Sequence, residues 1–343
     1  METVRRYSKS SAFYLNMKRD FFGNNDALLE QAERQNTLYA AQPRRAHCKI
    51  CEGAMPPHSD FGQHGVEYAF CMRCGHLNGL HEEAEEFVSK LYISDSGKDY
   101  AKNYLDEDFL NRINQIYLPK VDFLLDHLHS DGASLLDVGC GAGYFVYASI
   151  QRGISATGID VGKAMIDYGN RQISHLAKDS PLTVCEERAL FDAVRTTDAQ
   201  IVSALGVIEH LREPHEFFHA FRESRARYLY YLVPMFSLSV VLENVFPNVF
   251  PRVLSGGHTH LFTDSSVRKM NEIISVTPIA EWRFGTDIMD LYRSIVTTAL
   301  GNGASTAVRE QLDAGFGMKI DELQAVMDQN HFCSELHLLA EKT

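Results

Sequence analysis

The chain has no run of about 18 uninterrupted apolar residues, the length that a membrane-crossing helix needs. The nearest stretch, Tyr228 to Phe250, is broken by Pro234, Glu243, Asn244 and Pro247, so no membrane association is expected. A secretory leader is not evident either, because Met1-Glu2-Thr3-Val4-Arg5-Arg6 leads into no apolar core. Positive charge is in deficit. A net charge of -12 argues against general nucleic-acid binding, which requires phosphate neutralisation. It leaves room for a local basic cluster, and Arg5, Arg6, Arg44 and Arg45 are the candidates for holding an anion. Seven cysteines are an odd number, and four of them fall in a metal-binding pattern. That suits a reducing cytoplasm better than a disulfide framework. No internal repeat or low-complexity tract is evident. A length of 343 residues allows one large or two modest domains.

What is present is led by Leu135-Leu136-Asp137-Val138-Gly139-Cys140-Gly141-Ala142-Gly143 and, after it, Gly158-Ile159-Asp160. One apolar run ends in a glycine-rich turn and a second ends in a carboxylate. This is the pattern of a nucleoside-bearing cofactor site at the carboxyl edge of a parallel sheet. The glycine spacing narrows the choice. A dinucleotide fingerprint needs Gly-x-Gly-x-x-Gly, and its last position is Tyr144 here. No Lys-Ser/Thr pair follows, which excludes a P-loop. A Tyr-x-x-x-Lys pair near the place where an NAD-dependent epimerase or dehydrogenase would carry it is also missing.

The turn resembles motif I of class I S-adenosylmethionine (SAM)-dependent methyltransferases. The resemblance implies a glycine loop that admits the methionine and ribose parts of SAM, with Asp160 accepting hydrogen bonds from both ribose hydroxyls. A carboxylate suits that task because it accepts two hydrogen bonds at once. By the same resemblance the cofactor set is Asp137, Gly139, Cys140, Gly141, Gly143, Tyr144, Asp160, Val161, Glu187, Arg188 and Leu205, with Glu187 a substitute for the acid that often contacts the adenine amine. The segment Leu205-Gly206-Val207-Ile208-Glu209-His210, followed by Pro214, is similar to the family stretch that lies beside the SAM methionine. It puts Glu209 and His210 near the reactive methyl; the alternative is that His210 only caps the strand and orients the loop.

Cys48-x-x-Cys51 and Cys71-x-x-Cys74 are separated by nineteen residues. Two residues between thiolates form a tight turn that grips one metal, and two such turns complete a tetrahedral zinc site. Four thiolates fill the coordination shell, so the zinc is expected to be structural, with His47 and His76 as bystanders or hydrogen-bond donors to it. The intervening residues are rich in Pro, Gly and His and are expected to bury little core, leaving the metal to supply folding energy. Free thiols in a loop-rich segment are the alternative.

Four regions follow from the pattern: a helical segment at 1–43 with Asp26 as an N-cap, a zinc knuckle at 44–80, a helical linker at 81–130, and a SAM domain at 131–343. The linker begins with Glu82, Glu83, Glu85 and Glu86, passes Tyr92, Tyr100 and Tyr104, and ends in an amphipathic helix over 106–129. Strands are expected at 134–139, 155–160, 182–186, 199–206 and 228–233, alternating with helices. A closing antiparallel pair is expected near 279–286 and 334–341, around a helical insertion at 287–330. The fold class is therefore α/β, a doubly wound Rossmann-like methyltransferase sheet with a small N-terminal helical and zinc-knuckle lobe.

A second constellation, Gly256-Gly257-His258-Thr259-His260-Leu261-Phe262-Thr263, follows an apolar stretch from Phe236 to Leu254 that could form a lid. It is similar to a segment of sugar C-methyltransferases that carry an N-terminal zinc domain, with Thr259 in place of a glutamate and a shortened spacing to the aromatic. The resemblance makes His260 or His258 a candidate general base, joined by His210 and Glu209. Histidine is suited to removing a proton near neutral pH. Structural roles for these histidines, or a His-x-His metal site without an obvious third ligand, are the alternatives.

The expected activity is SAM-dependent methyl transfer to a small-molecule acceptor, sugar or nucleotide-sugar-like, in the cytoplasm. An O-methyltransferase of a secondary metabolite or polysaccharide precursor is the alternative within the class. An inactive SAM-fold scaffold with a zinc-knuckle interaction module is the alternative outside it. The apolar stretch and the insertion leave a homodimer open.

Overall fold

The computed structural model describes residues 3–11, 24–84, 87, 109–128, 132–174, 180–254 and 258–343. Among the described residues twelve strands form two sheets. The large sheet contains β1 (Val4–Tyr7), β5 (Ser134–Val138), β6 (Ser155–Asp160), β7 (Leu182–Val184), β8 (Ile201–Leu205), β9 (Tyr228–Pro234), β11 (Val276–Phe284) and β12 (Glu335–Lys342), in the order β1-β11-β12-β9-β8-β5-β6-β7. Strands β5 to β9 pair in parallel, and β12 runs antiparallel between β9 and β11. The expected α/β class, with its closing antiparallel pair, is borne out. Strand limits shift by up to three residues, as hydrogen bonding rather than apolar pattern sets the ends.

The helices that cover the sheet alternate with its strands. Helix Tyr144–Gln151 follows β5, Lys163–Ile173 follows β6, Glu187–Thr196 follows β7 and Pro214–Glu223 follows β8. Two apolar cores result, one on each face. Phe217, Phe218 and Phe221 fill one with Val138 and Val202; Phe123, Phe145 and Trp282 fill the other. The turn of topology falls between β5 and β8, which is where ligands meet such sheets.

The first correction concerns the N-terminus. A helical segment was expected over 1–43, yet β1 is a strand added in parallel to the outer edge of β11. Alternation in so short a piece is too brief to separate from a helix turn. The helix of this region spans Asn25–Ala40, with Asn24 rather than Asp26 at its N-cap. The second correction lies in the amphipathic helix expected over 106–129. It breaks into Phe109–Arg112, a π-helical stretch Ile113–Tyr117 and Leu118–Leu125. Pro119 has no N–H to donate and its ring crowds the preceding turn; widening that turn accommodates it.

The small sheet joins the cysteine segment to the rest. Its order is β10-β4-β3-β2, from β2 (Phe61–Gln63), β3 (Val66–Phe70), β4 (Leu77–Gly79) and β10 (His260–Leu261). The segment was expected to bury little core. Instead Tyr39, Val66, Tyr68 and Leu77 share an apolar cluster with Val240, Val253, Leu254 and Leu261. The missing core is thus supplied by the lid. The charged start of the linker is also different from expectation: Glu83 is buried and pairs with Arg45 at 2.6 Å and Lys49 at 3.2 Å, and Thr259 donates to its carboxylate. Glu85, Glu86, Tyr92, Tyr100, Tyr104, Gly256 and Gly257 lie outside the described residues.

The insertion after β11 is helical, at Asp287–Gly301, Thr306–Gly315 and Ile320–Gln329. Its anchor is Asp287, a buried carboxylate that accepts from Ser239 N, Ser239 Oγ, Gln324 Nε2 and Ser334 N. Beside it Arg252 pairs with Asp290 at 2.8 Å, so the insertion holds the lid. Among the described residues no helix is long and apolar enough to cross a membrane.

Candidate active site

The loop after β5 takes its shape from glycine. Gly139, Gly141 and Gly143 have φ of +66°, +54° and +71°, a region that residues with a Cβ seldom enter. A Cβ on Gly139 would also lie 2.5 Å from Val207 Cγ2, and one on Gly143 2.5 Å from Leu182 Cδ1. Gly143 is the N-cap of helix Tyr144–Gln151, so the helix amides open toward the loop, where an anionic group is favoured. Asp160, at the end of β6, accepts from Gly141 N at 2.8 Å and Gly162 N at 2.7 Å. Each carboxylate oxygen has a further lone pair for a ligand. Burial raises the Asp160 pKa, offset in part by these amides. Asp137 is buried in β5, accepts from Ser203 Oγ at 2.6 Å, and is pushed up to about 7 by burial.

The other cofactor candidates are arranged around this turn. Cys140 and Tyr144 are buried, Leu205 closes β8, and Val161 follows Asp160. Glu187 and Arg188 open the helix after β7. Tyr144 stacks on Tyr117 at 5.3 Å and 16°. The aromatic partner comes from the π-helical stretch, which sequence spacing alone did not single out.

Of the four acid–base candidates the structure brings together three. Ligand atoms of Glu209, His210 and His258 all lie within 4.8 Å of one another. The imidazoles of His210 and His258 are 4.8 Å apart, and His210 Nε2 is 4.0 Å from Glu209 Oε1. His258 Nδ1 faces the Val253 carbonyl at 3.2 Å; donating there leaves the lone pair on Nε2. Burial pushes Glu209 up to about 8 and His258 down to about 4. At neutral pH the carboxyl is therefore protonated and the imidazole is neutral, the form that accepts a proton.

His260 also meets this region, at the Glu209 backbone, but its ring is tied to the knuckle. Pairing of β10 with β4 sets it opposite Asn78, and its Nδ1 meets His76 Nε2 at 2.7 Å. His76 in turn faces Ser266 Oγ at 3.2 Å. Burial pushes both imidazoles well below their ordinary pKa. One of the two nitrogens must carry the proton, so the pair is a neutral hydrogen bond joining the knuckle to β10.

The four cysteines converge. Their sulfurs lie within 4.8 Å of one another, with Cys48 to Cys74 at 3.6 Å and Cys51 to Cys71 at 3.5 Å. A tetrahedral zinc with Zn–S near 2.3 Å sets its sulfurs about 3.8 Å apart, so the donor set fits that ion. Backbone turns shape each pair: Glu52 N donates to the Cys48 carbonyl and Gly75 N to that of Cys71. Asn78 Nδ2 reaches Cys48 Sγ at 3.6 Å. His47 is in an isolated bridge with Ala54.

Residues 109–272 match the family model of a methyltransferase domain. That segment, just under half of the chain, resembles a methyltransferase domain. The match includes the glycine loop, Asp160, Glu209, His210 and His258, and leaves the cysteine knuckle and the last two strands outside. Among curated proteins the chain is similar to the ubiquinone biosynthesis O-methyltransferase of Stutzerimonas stutzeri, 30% identical over 107 residues, 31% of this chain and 44% of that protein. To its counterpart in Saccharophagus degradans it is 37% identical over 82 residues, 23% of this chain and 34% of that protein. The chain thus spans less than half the length of these relatives, whose names describe O-methylation rather than sugar methylation. Among solved structures it is similar to magnesium protoporphyrin IX methyltransferase from Synechocystis with bound S-adenosylhomocysteine (SAH), at 14% identity and TM-score 0.49, over 76% of this chain and 100% of that one.

The basic residues expected to hold an anion are engaged in structure. Arg5 pairs with Glu281, Arg44 with Glu67 and Arg45 with Glu82 and Glu83, while Arg6 lies over the Trp282 ring.

Proposed function

We propose that this protein transfers a methyl group from SAM to a small-molecule acceptor, with the knuckle acting as a structural zinc lobe. The observation that carries the reading is the joint geometry of the three left-handed glycines and Asp160; Glu209 and His210 follow β8, the strand paired with β5, and His258 joins them. SAM supplies an already activated methyl on a positive sulfur. The chain's own task is to hold the acceptor in line, exclude water and take up a proton. The loop amides and Asp160 would bind the cofactor. His258 Nε2 would accept the acceptor proton, with Glu209 and His210 setting its surroundings.

Such a base serves a hydroxyl and an acidic carbon alike. The matched relatives favour oxygen as the methylated atom. A sugar or nucleotide-sugar acceptor remains the reading that the His258 segment and the cysteine lobe suggest together. Three nearby ligand atoms are also compatible with a cation, and a requirement for added magnesium in turnover would move the trio to that role.

Calorimetric titration of the zinc-loaded protein with SAH, against NAD as control, tests the proposal. One-to-one SAH binding is expected, weakened in Asp160→Ala by about 1.5–3 kcal/mol for each charge-assisted hydrogen bond lost. Absence of SAH binding would leave the fold as a scaffold and turn attention to the cysteine lobe as an interaction module.

A further inference from the structure

His258, the proposed proton acceptor, belongs to a short stretch whose anchors lie in the cysteine lobe. Its own ring faces the Val253 carbonyl at 3.2 Å. The next residue, Thr259, is buried and tied twice: its carbonyl accepts from Gly79 N at 2.7 Å, and its hydroxyl donates to Glu83 Oε1. A Cβ on Gly79 would lie 2.7 Å from that carbonyl oxygen, so the close approach of the two segments requires glycine there. The residue after, His260, stands opposite Asn78 across the β4–β10 pair and meets His76 Nε2 at 2.7 Å.

Glu83 is the centre of this arrangement. Only 8% exposed, it takes Arg45 Nη2 at 2.6 Å on Oε2 and Lys49 Nζ at 3.2 Å on Oε1, the oxygen that also accepts from Thr259. Lys49 stands between Cys48 and Cys51, inside the first cysteine turn. Its backbone N donates to Asn78 Oδ1 at 3.0 Å, and Asn78 Nδ2 reaches Cys48 Sγ at 3.6 Å. Arg45 Nε reaches the Gly79 carbonyl at 3.3 Å. A continuous set of contacts thus runs from the cysteine turn through Lys49, Glu83 and Thr259 to the residue beside His258. Buried ion pairs are weak sources of net stability, because desolvation offsets most of their attraction. What they supply is direction. A carboxylate fixed by two cations presents its remaining lone pair to the Thr259 hydroxyl at one place only.

We propose that Glu83 is a positioning residue for His258. Held by Lys49 of the first cysteine turn and by Arg45, its carboxylate fixes Thr259, and Thr259 fixes the adjoining imidazole beside Glu209 and His210. The cysteine lobe then has a second task besides its own folding: it sets the orientation and the tautomer of the base. With the Nδ1 proton given to the Val253 carbonyl, Nε2 keeps its lone pair. Without the tether the ring is free to turn from Val253, and the proton sits on either nitrogen. This inference rests on the methyl-transfer reading for the word base, but the tether itself does not.

The test reads the imidazole directly. Full-length zinc-loaded protein with isotope-labelled histidine is followed by long-range proton–nitrogen correlation NMR at neutral pH, and the His258 signal is assigned by its loss in His258→Gln. The parent should show the Nδ1–H form alone. Thr259→Val keeps the side-chain shape and removes the hydroxyl. It should give a mixture of the two forms, while zinc content is that of the parent and SAH affinity stays within about twofold, the tolerance for sites that do not couple. Thr259→Ser returns a hydroxyl and should restore the parent pattern. Glu83→Gln should shift the signal in the same direction as Thr259→Val; where Glu83→Gln does not fold, the two Thr259 variants decide. A mixture of forms in the parent overturns the proposal, and so does a His258 signal unchanged in Thr259→Val. A mixture in Thr259→Val that Thr259→Ser does not reverse would mean general loosening and overturns it as well. A tether-dependent tautomer in a protein that binds no SAH would uphold the positioning and defeat the methyl-transfer reading instead.

Discussion

The proposed cofactor wall and the proposed acceptor wall are built by different means. The cofactor wall is one continuous piece of chain, residues 134–160, and its features are backbone features: three left-handed glycines, a helix start, and a carboxylate tied to amides. The proposed acceptor wall is assembled from side chains that different stretches of the chain supply: Glu209 and His210 after β8, and His258 just before β10. A backbone site depends on local geometry. A side-chain site depends on how knuckle, lid and insertion are packed together. The difference predicts that damage to the acceptor wall leaves the cofactor wall working.

Loss of the metal site is the harshest way to break that separation. Structural zinc contributes roughly 10–16 kcal/mol of apparent binding free energy in small domains. Cys74→Ser leaves three thiolates, so bound zinc should fall below one equivalent and residues 44–80 should become sensitive to protease. SAH affinity should stay within about twofold, the tolerance for sites that do not couple. If SAH binding disappears with the zinc, the walls are one unit, and the shared core of Cys48, Ile50 and Cys71 with Val138 and Val202 is the reason.

The histidines separate chemistry from scaffolding within the acceptor wall. His258→Ala should reduce turnover by about 10²–10⁴-fold, the range for a lost acid–base group, with SAH affinity unchanged. His260→Ala should instead lower stability by about 1–3 kcal/mol, because it strands the buried His76 ring. Steady-state kinetics and urea unfolding of the two variants check this. Should His260→Ala remove turnover without loss of stability, the roles of the two histidines are exchanged.

Titration sharpens the same comparison. Glu209 holds its proton up to about pH 8, because burial opposes its charge. A carboxyl with a raised folded-state pKa leaves stability whole below its ordinary value of 4.5. Stability then falls by at most about 1.4 kcal/mol per pH unit until pH reaches the folded pKa, and levels off beyond it. Urea midpoints of Glu209→Gln should decline less than those of the parent over that window, and the gap should be widest at its alkaline end. Parallel curves would mean that Glu209 is solvated or compensated in the folded protein.

Much of the cofactor wall was legible because its determinants are local. The Gly139, Gly141 and Gly143 spacing and the Cys48–Cys74 quartet are short-range patterns with direct geometric meaning, and the strand–helix alternation foretold the parallel sheet. The acceptor wall was not legible for a physical reason. Nothing near His260 announces that β10 will join β4 and turn its ring toward His76. Glu83 reads as a surface charge until Arg45 and Lys49 are seen around it. Pro119 was a local signal for the broken helix, and it was outweighed by apolar spacing on either side.

The smallest expected effect lies in the seam between knuckle and methyltransferase domain. Thr263 caps helix Asp264–Ile274: its Oγ1 accepts from Ser266 N at 3.2 Å, and Ser266 Oγ accepts from Thr263 N at 2.9 Å, a reciprocal capping box. The same hydroxyl faces the Gly75 carbonyl at 3.1 Å, one residue beyond Cys74. A hydroxyl has one proton to donate and two lone pairs, so it can serve cap and knuckle together. Thr263→Ala should cost about 1 kcal/mol, the usual value of an N-cap, and Thr263→Ser should restore most of it. If the cap alone matters, the loss is the same whether or not zinc is bound. A larger loss in the zinc-loaded protein would show that this one hydroxyl couples the knuckle to the helix, and that the two proposed walls communicate through it.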